Sequence, residues 1–351
     1  MSAVAGPATP AEAAAALAEA SAARERVAVV GGGTRSRRGR PAPPADHELR
    51  TTGLRRVVAH EPADLTVTVE AGLLASELAE LAAAAGQCWP QAEIRPGSTV
   101  GGVLAAAASG RRRLRFGAVR DSLLQVVLAT GDGRLVTAGG RTVKGVSGYD
   151  IPRLAVGSLG TLGVIVEVTL KLWPIPPAQG WFGAEGPLAE RLGVVARALG
   201  GPARPASVLL TPGAVAVELT GPPADVVAAE GLAPLDEEPP GPGGRGIVEA
   251  GVPPPRLGDL AGRLEDAGLG YEARMGVGTC LVAVASADDV RRVRAWAGEL
   301  GGHATVADGP PELRADPWGP PPPGLELMRR LRDAFDPAGV LNPSMLLWEA
   351  A

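Results

Sequence analysis

The segment RPGSTVGGVLAAAASG, residues 95–110, carries the strongest structural signal in this chain. Its Pro and Gly residues interrupt regular structure, whereas the Ala-rich run from Val100 to Ala108 predicts a short helix. Ser98 or Thr99 can cap that helix through a hydroxyl oxygen. The free N–H groups and the dipole at the start of a helix attract an anion, and glycines let a ligand approach closely. We therefore predict a phosphate-binding loop here, with a tight structural turn as the alternative.

Two further glycine clusters flank this segment. Gly31-Gly32-Gly33 follows Val27 to Val30, a β-branched run that predicts a buried strand ending in a loop. A Rossmann loop must open a helix, but this loop runs into Pro41, so a nest of N–H groups or a plain surface turn remains. The third cluster is GSLGTLG at 157–163, just after Gly148-Tyr149-Asp150. Three such segments in one half of the chain favour a shared nucleotide.

Composition narrows the class of protein. The 351 residues favour two domains, and 46% hydrophobic with 21% charged residues is typical of a globular protein. A net charge of −4 disfavours a nucleic-acid partner, and the missing GxxxxGK[ST] motif excludes a P-loop NTPase. Cys88 and Cys280 are too isolated for a disulfide framework, and three scattered histidines give no metal site.

The sequence lacks both a signal peptide pattern and a run of about 18 apolar residues, so we expect a cytoplasmic protein with no integral membrane segment. Prolines at 174, 176 and 177 mark a linker. The sequence before this linker and the sequence after it both mix helical and strand patterns, which predicts an α+β fold. The elements that the pattern predicts are helices from Pro10, at Leu73–Ala85, Leu188–Leu199, Leu257–Ala267, Asp288–Leu300 and Leu325–Phe335, strands at Leu65–Val69, Val164–Leu172, Ala214–Leu219 and Cys280–Ala285, and a hairpin of Leu124–Ala129 with Arg134–Thr137.

These segments together resemble a known family. VAVVGGGTRS at 27–36, the run from RPGSTVGG to GDGRLV at 95–136, and the run from KGVSGYD to KLWPIP at 144–176 are similar to the FAD-binding domain of the vanillyl-alcohol oxidase or PCMH type. More narrowly, they resemble the FAD-binding E-subunit type of bacterial glycolate oxidases. GGHAT at 301–305 and FDPAGVLNP at 335–343 resemble the C-terminal signatures of that subunit type.

The resemblance implies an architecture and a cofactor. Residues 1–176 would form a two-part PCMH-type FAD-binding domain, and residues 177–312 a smaller α+β cap domain for the substrate. The segment 313–351 would return its helix to the FAD domain. Covalent relatives attach the flavin to a histidine in the first loop, where this chain has Thr34. We therefore expect one non-covalent FAD and no metal.

The resemblance also assigns contacts with FAD, in four groups. Two glycine loops would cradle the pyrophosphate, a third group would border the isoalloxazine and ribityl, and a fourth would hold the adenine side or the ring through its backbone. In that order, the groups are Gly32, Gly33, Thr34, Arg35 and Ser36; Pro96, Gly97, Ser98, Thr99, Gly101 and Gly102; Ser109, Gly110, Gly117, Arg120 and Asp121; and Gly157, Gly160, Thr161, Gly163, Val164 and Ile165.

The implied activity is FAD-dependent oxidation of glycolate, or of a similar 2-hydroxy acid such as D-lactate, to the 2-oxo acid. The Cα hydride would pass to flavin N5, and electrons would leave to a partner or a quinone. This chemistry needs a base for the hydroxyl and a cation for the carboxylate. His303 is the candidate base, with a packed or partner-facing histidine as the alternative. No pattern selects the cation, because all but two of the 34 basic residues are arginines.

Two other functions stay open: a non-catalytic FAD-bearing assembly or electron-relay subunit, and a stand-alone FAD-linked oxidase for another alcohol. Catalytic relatives carry a paired-histidine metal site in the cap, where this chain has only His303. The resemblance therefore implies a catalytic FAD subunit as partner. It also implies an iron–sulfur subunit, because two isolated cysteines cannot hold a four-cysteine cluster. That complex could lie peripherally on the inner face of the membrane.

One basic run is left over. Arg111-Arg112-Arg113 with Arg115 is typical of a solvated face, and we predict little effect of Arg112 on FAD binding. Contact with phosphate, flavin or an acidic partner is the alternative.

Overall fold

The structure is a computed structural model that describes residues 2–3, 6–41, 45–141, 149–227 and 231–345. Gly148, which precedes the third glycine cluster, lies outside these ranges. Below, residues up to 176 are the N-terminal region, 177–312 the middle region, and 313–345 the C-terminal segment.

The N-terminal region is built on a five-stranded antiparallel sheet with a small parallel sheet beside it. The elements are β1 (Ser2–Ala3), α1 (Pro10–Ala23), β2 (Val27–Val30), β3 (His47–Arg50), β4 (Val57–Glu61), β5 (Thr66–Glu70), α2 (Ala75–Ala84), β6 (Gln87–Cys88), α3 (Val100–Ala105), α4 (Arg113–Phe116), β7 (Leu123–Ala129), β8 (Leu135–Gly139), α5 (Ile151–Ala155), β9 (Val164–Lys171) and β10 (Trp173–Pro174). The large sheet has the order β4-β5-β9-β7-β8 and the parallel sheet β1-β3-β2, while β6 pairs with β10.

Two cores lie on either side of the large sheet. On one side, α1 packs Leu17 against Val27 of β2 and Val166 of β9. On the other side, α2 and α3 bury Leu78 and Leu104. Local chemistry explains where α1 begins: Thr9 Oγ1 accepts a hydrogen bond from the Glu12 N–H at 3.2 Å, and proline occupies the first turn, as the sequence predicts.

The strand β2 differs from its prediction as a buried strand. Val27 is buried, but the rest of β2 is only half-buried. The reason is that Val29 and Val30 line an open crevice, although Val29 also packs against the core around α1.

The middle region is one eight-stranded antiparallel sheet covered on one face by helices. Its elements are β11 (Ala178–Glu185), α6 (Leu188–Gly200), β12 (Ser207–Thr211), β13 (Ala214–Gly221), β14 (Ala233–Leu235), β15 (Gly246–Gly251), α7 (Leu257–Asp266), β16 (Tyr271–Arg274), β17 (Thr279–Val284), α8 (Ala287–Glu299) and β18 (His303–Asp308). The strand order is β14-β11-β13-β12-β16-β17-β15-β18. Val217 packs in the core with Leu260 of α7 and Val293 of α8. The next residue, Glu218, lines a cavity that also borders the N-terminal region.

Part of the C-terminal segment packs on the N-terminal region. Its helix α9 (Leu325–Phe335) has no buried residue, but the chain beyond it enters the core. Leu341 pairs in parallel with Val27 of β2 and is fully buried. The Asp336 carboxylate, also buried, accepts hydrogen bonds from the N–H groups of Val340 and Leu341 at 3.1 and 2.8 Å.

Short 3-10 helices complete the described structure at Thr51–Gly53, Pro62–Asp64, Val119–Ser122, Pro223–Asp225, Pro254–Arg256, Pro311–Arg314 and Pro343–Met345. None of the helices in the described ranges has both the length and the apolar character needed to cross a bilayer.

Candidate functional site

The first two glycine clusters lie against each other. A Cβ atom on Gly32 would lie 1.7 Å from the carbonyl oxygen of Gly97, so only glycine at position 32 permits this contact. Next to it, the hydroxyls of Thr34 and Ser98 are 3.2 Å apart. Gly33 and Gly97 have φ angles of 70° and 78°, the left-handed region that favours glycine. The two loops therefore form one wall.

The third cluster reaches the same wall through the C-terminal segment. The Asn342 side chain accepts a hydrogen bond from the N–H of Val29 and donates one to the carbonyl of Leu159, both at 2.8 Å. The N–H of Leu159 in turn donates to the Ala105 carbonyl at the end of α3, at 2.9 Å. The structure therefore brings the three predicted clusters together around α3.

The N-terminus of α3 is not the free anion site that we predicted. Its first three N–H groups already donate within the protein, so none of them can bind a phosphate without losing a partner. The pairs are Val100 N to Leu73 O at 2.9 Å, Gly101 N to Ala71 O at 2.7 Å, and Gly102 N to Thr99 Oγ1 at 3.1 Å.

Free N–H groups lie in the first loop instead. Within the described ranges, the backbone N–H groups from Gly32 to Arg35 have no hydrogen-bond partner. Gly33 has a positive φ, and successive N–H groups around such a residue converge as an anion-binding nest. The Arg35 guanidinium lies beside this nest. It donates to the Glu93 carbonyl at 2.9 Å and to the Ser98 hydroxyl at 3.3 Å.

A continuous crevice runs along this wall. The loop cavity, of about 380 Å³, is bordered by the first loop, Thr99, Gly102, Leu159 and Asn342. It shares several of these residues with a pocket of about 90 Å³ lined by Gly160 and the start of β9. In the other direction, Arg35 and Arg38 also line the sheet cavity, of about 550 Å³, between the N-terminal region and the middle region.

Most of the predicted cofactor contacts fall on this crevice. The residues that line the loop cavity or the small pocket are Gly32, Gly33, Thr34, Arg35, Ser36, Thr99, Gly101, Gly102, Gly160, Gly163, Val164 and Ile165. Ser109 and Gly110 line the sheet cavity. Gly157 and Thr161 line an adjoining cavity of about 470 Å³ that extends to α9. Pro96 and Gly97 are exposed, whereas Ser98 is buried behind the wall.

Besides Pro96, Gly97 and Ser98, four predicted site residues line none of these cavities: Gly117, Arg120, Asp121 and His303. Gly117 and Asp121 form a turn in which the Asp121 carboxylate accepts the N–H of Ala118 at 2.9 Å, and the Arg120 side chain is exposed. His303 is exposed at the start of β18, where its ring lies near Gly251 of β15. The structure thus does not bring the candidate base to the crevice.

The basic run is not a solvated face, contrary to our expectation. Arg112 Nε donates to the Glu218 carboxylate at 2.8 Å, and Arg111 Nε donates to Glu272 at 3.0 Å. Arg115 donates to the carbonyls of Arg204 and Thr220, both at 2.8 Å. All these acceptors belong to the middle region. The run therefore joins the two regions, which a local charge pattern could not reveal.

Two of these acceptors are buried carboxylates. Glu218 and Glu272 are 2% and 1% exposed. Burial raises the pKa of Glu218, and the hydrogen bond from Arg112 only partly opposes that shift. Glu272 also contacts Arg274, whose guanidinium donates to the Ser109 carbonyl at 2.8 Å. The wall of the sheet cavity is consequently a network of buried ion pairs.

The pKa of the Glu93 carboxyl is shifted in the opposite direction to that of Glu218. Burial favours its neutral form, but the nearby Arg95 and Arg35 outweigh burial and hold the pKa of Glu93 below its ordinary value. Burial lowers the pKa of Arg35. Among the described residues, no group of three or more His, Cys, Asp or Glu side chains is arranged to hold a metal ion.

Comparisons with known proteins agree with this geometry. A model of the FAD binding domain matches residues 1–139. Glycolate oxidase subunit GlcE of Escherichia coli (strain K12) is 30% identical over 312 residues, which are 84% of this chain and 85% of that protein. The chain belongs to the PCMH-type FAD-binding family. It is a flavoprotein of the oxidoreductase class, and its cofactor is FAD.

Other relatives match this flavoprotein over a shorter stretch. Glycolate oxidase subunit GlcD of Bacillus subtilis (strain 168) is 35% identical over 129 residues, 36% of this chain and 27% of that protein. The mitochondrial D-lactate dehydrogenase [cytochrome] of Arabidopsis thaliana is 38% identical over 123 residues, 35% of this chain and 22% of that protein. The fold is also that of an alkyldihydroxyacetonephosphate synthase, with a TM-score of 0.69 at 15% identity over 96% of this chain and 75% of that one.

The crevice fits FAD on three observations. The first loop offers unpartnered N–H groups to a diphosphate, and Arg35 and Arg38 add positive charge beside them. A Cβ atom on Gly102 would meet only the Thr99 hydroxyl, at 3.0 Å, so this glycine leaves its side of the crevice open. The crevice also continues into a cavity large enough for a ring system.

Gly102→Asp should greatly weaken FAD binding. The new carboxylate would enter the crevice and repel the diphosphate by about 3 kcal/mol, or roughly 100-fold in affinity. Flavin content of the purified protein, read from its absorption spectrum, measures the effect. Gly102→Ala separates added volume from charge, and Gly298→Asp on α8, where a Cβ meets no atom within 4 Å, is the matched control. Full occupancy in the Gly102→Asp protein would contradict the prediction.

Glu218→Gln should change how stability depends on pH. A carboxyl whose pKa is raised in the folded state binds its proton more tightly there, so its stabilising contribution is present at low pH and lost as pH rises through the folded pKa. The unfolding free energy of the variant, minus that of the wild type, should therefore increase as the pH rises from the ordinary pKa of a glutamate, about 4.3, through the raised pKa of the folded state.

Urea unfolding at a series of pH values measures this difference. Glu326→Gln, on the exposed surface of α9, is the control. The same trend in both variants, or no trend in Glu218→Gln, would show that the buried carboxyl is not the cause.

Proposed function

We propose that this flavoprotein is the FAD-bearing subunit of a complex that oxidises glycolate, or a similar 2-hydroxy acid such as D-lactate, to the 2-oxo acid. The main support is the match with GlcE, which extends over most of both chains and not only over the FAD-binding part. We also propose the division into an FAD domain at 1–176, a cap at 177–312 and a returning segment at 313–351.

In this proposal, different residues of the chain bind the diphosphate, the flavin ring and the substrate. The N–H groups from Gly32 to Arg35 hold the diphosphate of FAD. The flavin is bound without a covalent bond, because the first loop has Thr34, and neither a histidine nor a cysteine, at the position of attachment. Bound FAD supplies the hydride acceptor. Ser109 and Gly110, which line the sheet cavity, border the ring, and the ion pairs between the two regions keep the wall of that cavity rigid. The substrate would bind in the sheet cavity.

A second function has its own support. Among the described residues, no histidine lines the sheet cavity, and its carboxylates all form ion pairs within the protein. The described residues that line this cavity therefore include no evident group to take the hydroxyl proton. That favours a subunit which binds FAD and relays electrons, while a catalytic FAD subunit activates the substrate. An iron–sulfur subunit would carry the electrons away.

Acid precipitation should release all flavin into the supernatant. Non-covalent FAD is freed when the protein unfolds, whereas a flavin attached to a side chain stays with the polypeptide. The absorbance of supernatant and pellet after precipitation measures the partition. A yellow pellet would contradict the proposed mode of attachment, and a tryptic flavopeptide would then show which residue carries it.

Little glycolate turnover is expected from the isolated chain, and activity should appear when a catalytic FAD subunit and an iron–sulfur subunit are added. Reduction of an artificial acceptor by each mixture is the measurement. The His303→Ala protein belongs in the same assay. As a base, His303 would account for about 10²–10⁴-fold in rate, whereas its exposed place outside the cavity predicts no such loss. Equal turnover by the isolated chain and the complex would remove the case for obligate partners.

A further inference from the structure

The sheet cavity has one more cation than it has carboxylates. Seven arginines and six carboxylates line it. They are Arg35, Arg38, Arg95, Arg111, Arg112, Arg113 and Arg274, with Glu93, Glu218, Glu238, Glu249, Glu272 and Asp308. A buried or half-buried charge is costly unless an opposite charge lies beside it, so the pairing of these groups shows which of them can serve a ligand.

Six of the seven arginines are already paired with carboxylates of the same cavity. The pairs are Arg35–Glu93 at 3.4 Å, Arg38–Glu249 at 3.4 Å, Arg95–Glu93 at 2.7 Å, Arg111–Glu272 and Arg111–Glu238 at 2.5 Å, Arg112–Glu218 at 2.6 Å and Arg274–Glu272 at 3.1 Å. The sixth carboxylate, Asp308, lies 3.8 Å from Arg95 and also contacts Arg37, which lies outside the cavity, at 3.2 Å.

Arg113 is the exception. Within the ranges that the structure describes, its guanidinium has neither an ion pair nor a hydrogen bond, although its side chain is only partly exposed. Its place is nevertheless fixed, because it begins α4 directly after Arg112, which is held by the buried Glu218. The segment that lines the cavity runs without a gap from Ala107 to Arg113, so Arg113 lies on the same stretch of wall as Ser109.

We propose that Arg113 binds the carboxylate of the substrate. A guanidinium presents two parallel N–H donors that match the two oxygens of a carboxylate. One uncompensated positive charge suits a substrate with one carboxylate, such as a small 2-hydroxy acid. The six paired arginines would have to leave their partners to do the same. This assignment rests on the proposed function, in which the sheet cavity receives the substrate.

Oxalate, a planar dicarboxylate, provides the test: one of its carboxylates can meet the Arg113 guanidinium while the other stands in for the oxygen-bearing carbon of the substrate. The FAD-loaded chain is titrated with oxalate while the flavin absorption spectrum and the heat of binding are recorded. Arg113→Gln should weaken oxalate binding by about 10- to 100-fold, the range for a lost charge-assisted hydrogen bond. Arg113→Lys, which keeps the charge but not the fork, should fall between. Arg291→Gln removes an exposed arginine on α8 that pairs with Asp288, and should bind like the wild type.

Three results would overturn the assignment. These are equal oxalate affinity in Arg113→Gln and wild type, a wild type that does not bind oxalate, and loss of FAD from Arg113→Gln while Arg291→Gln keeps it. The last result would mean that Arg113 serves the cofactor.

Turnover by the reconstituted complex keeps this inference apart from the proposed function. Arg113-dependent oxalate binding without any oxidation of glycolate would leave the anion site standing and remove the function. Oxidation of glycolate with an unchanged KM in Arg113→Gln would leave the proposed function standing and remove the role of Arg113 in binding the substrate.

Discussion

The contact between Gly32 and the Gly97 carbonyl sets the distance between the two glycine loops. Any side chain at position 32 would have to push the first loop away from α3. The first loop would then lose its neighbour Ser98, and the crevice would lose one wall. Because this contact relies on a missing side chain, it needs no ion pair or large apolar area. It leaves the N–H groups of the first loop free for an anion.

The buried ion pairs have a different role. Removing Arg112 would leave Glu218 buried without its partner, and breaking such a pair commonly costs about 3–5 kcal/mol. Replacing both partners by apolar residues could be neutral. These pairs therefore orient the two regions relative to each other more than they add to the free energy of unfolding. They fix how the sheet of the middle region faces Ser109 and Gly110, and they neutralise the cavity wall everywhere except at Arg113.

Signals that are local in sequence were predictable, and those made by distant residues were not. Thr9 and Pro10 mark the start of α1, and Gly131-Asp132-Gly133 marks the turn between β7 and β8, because caps and turns depend on adjacent residues. The strand β16 escaped the apolar pattern because charged residues occupy two of its four positions. The partner of Arg112 could not be found from the sequence, since Glu218 lies 106 residues away.

The pairing of the C-terminal segment with β2 has a consequence for biosynthesis. Asn342 and Val29 are 313 residues apart, yet their hydrogen bond closes the wall of the crevice. A ribosome must therefore translate almost the whole of this sequence before the two can meet. The nascent N-terminal region holds an unfinished pocket throughout that time, with Val27 and Val29 lacking their late partners. The wall of the crevice is thus complete only after the middle region has been synthesised.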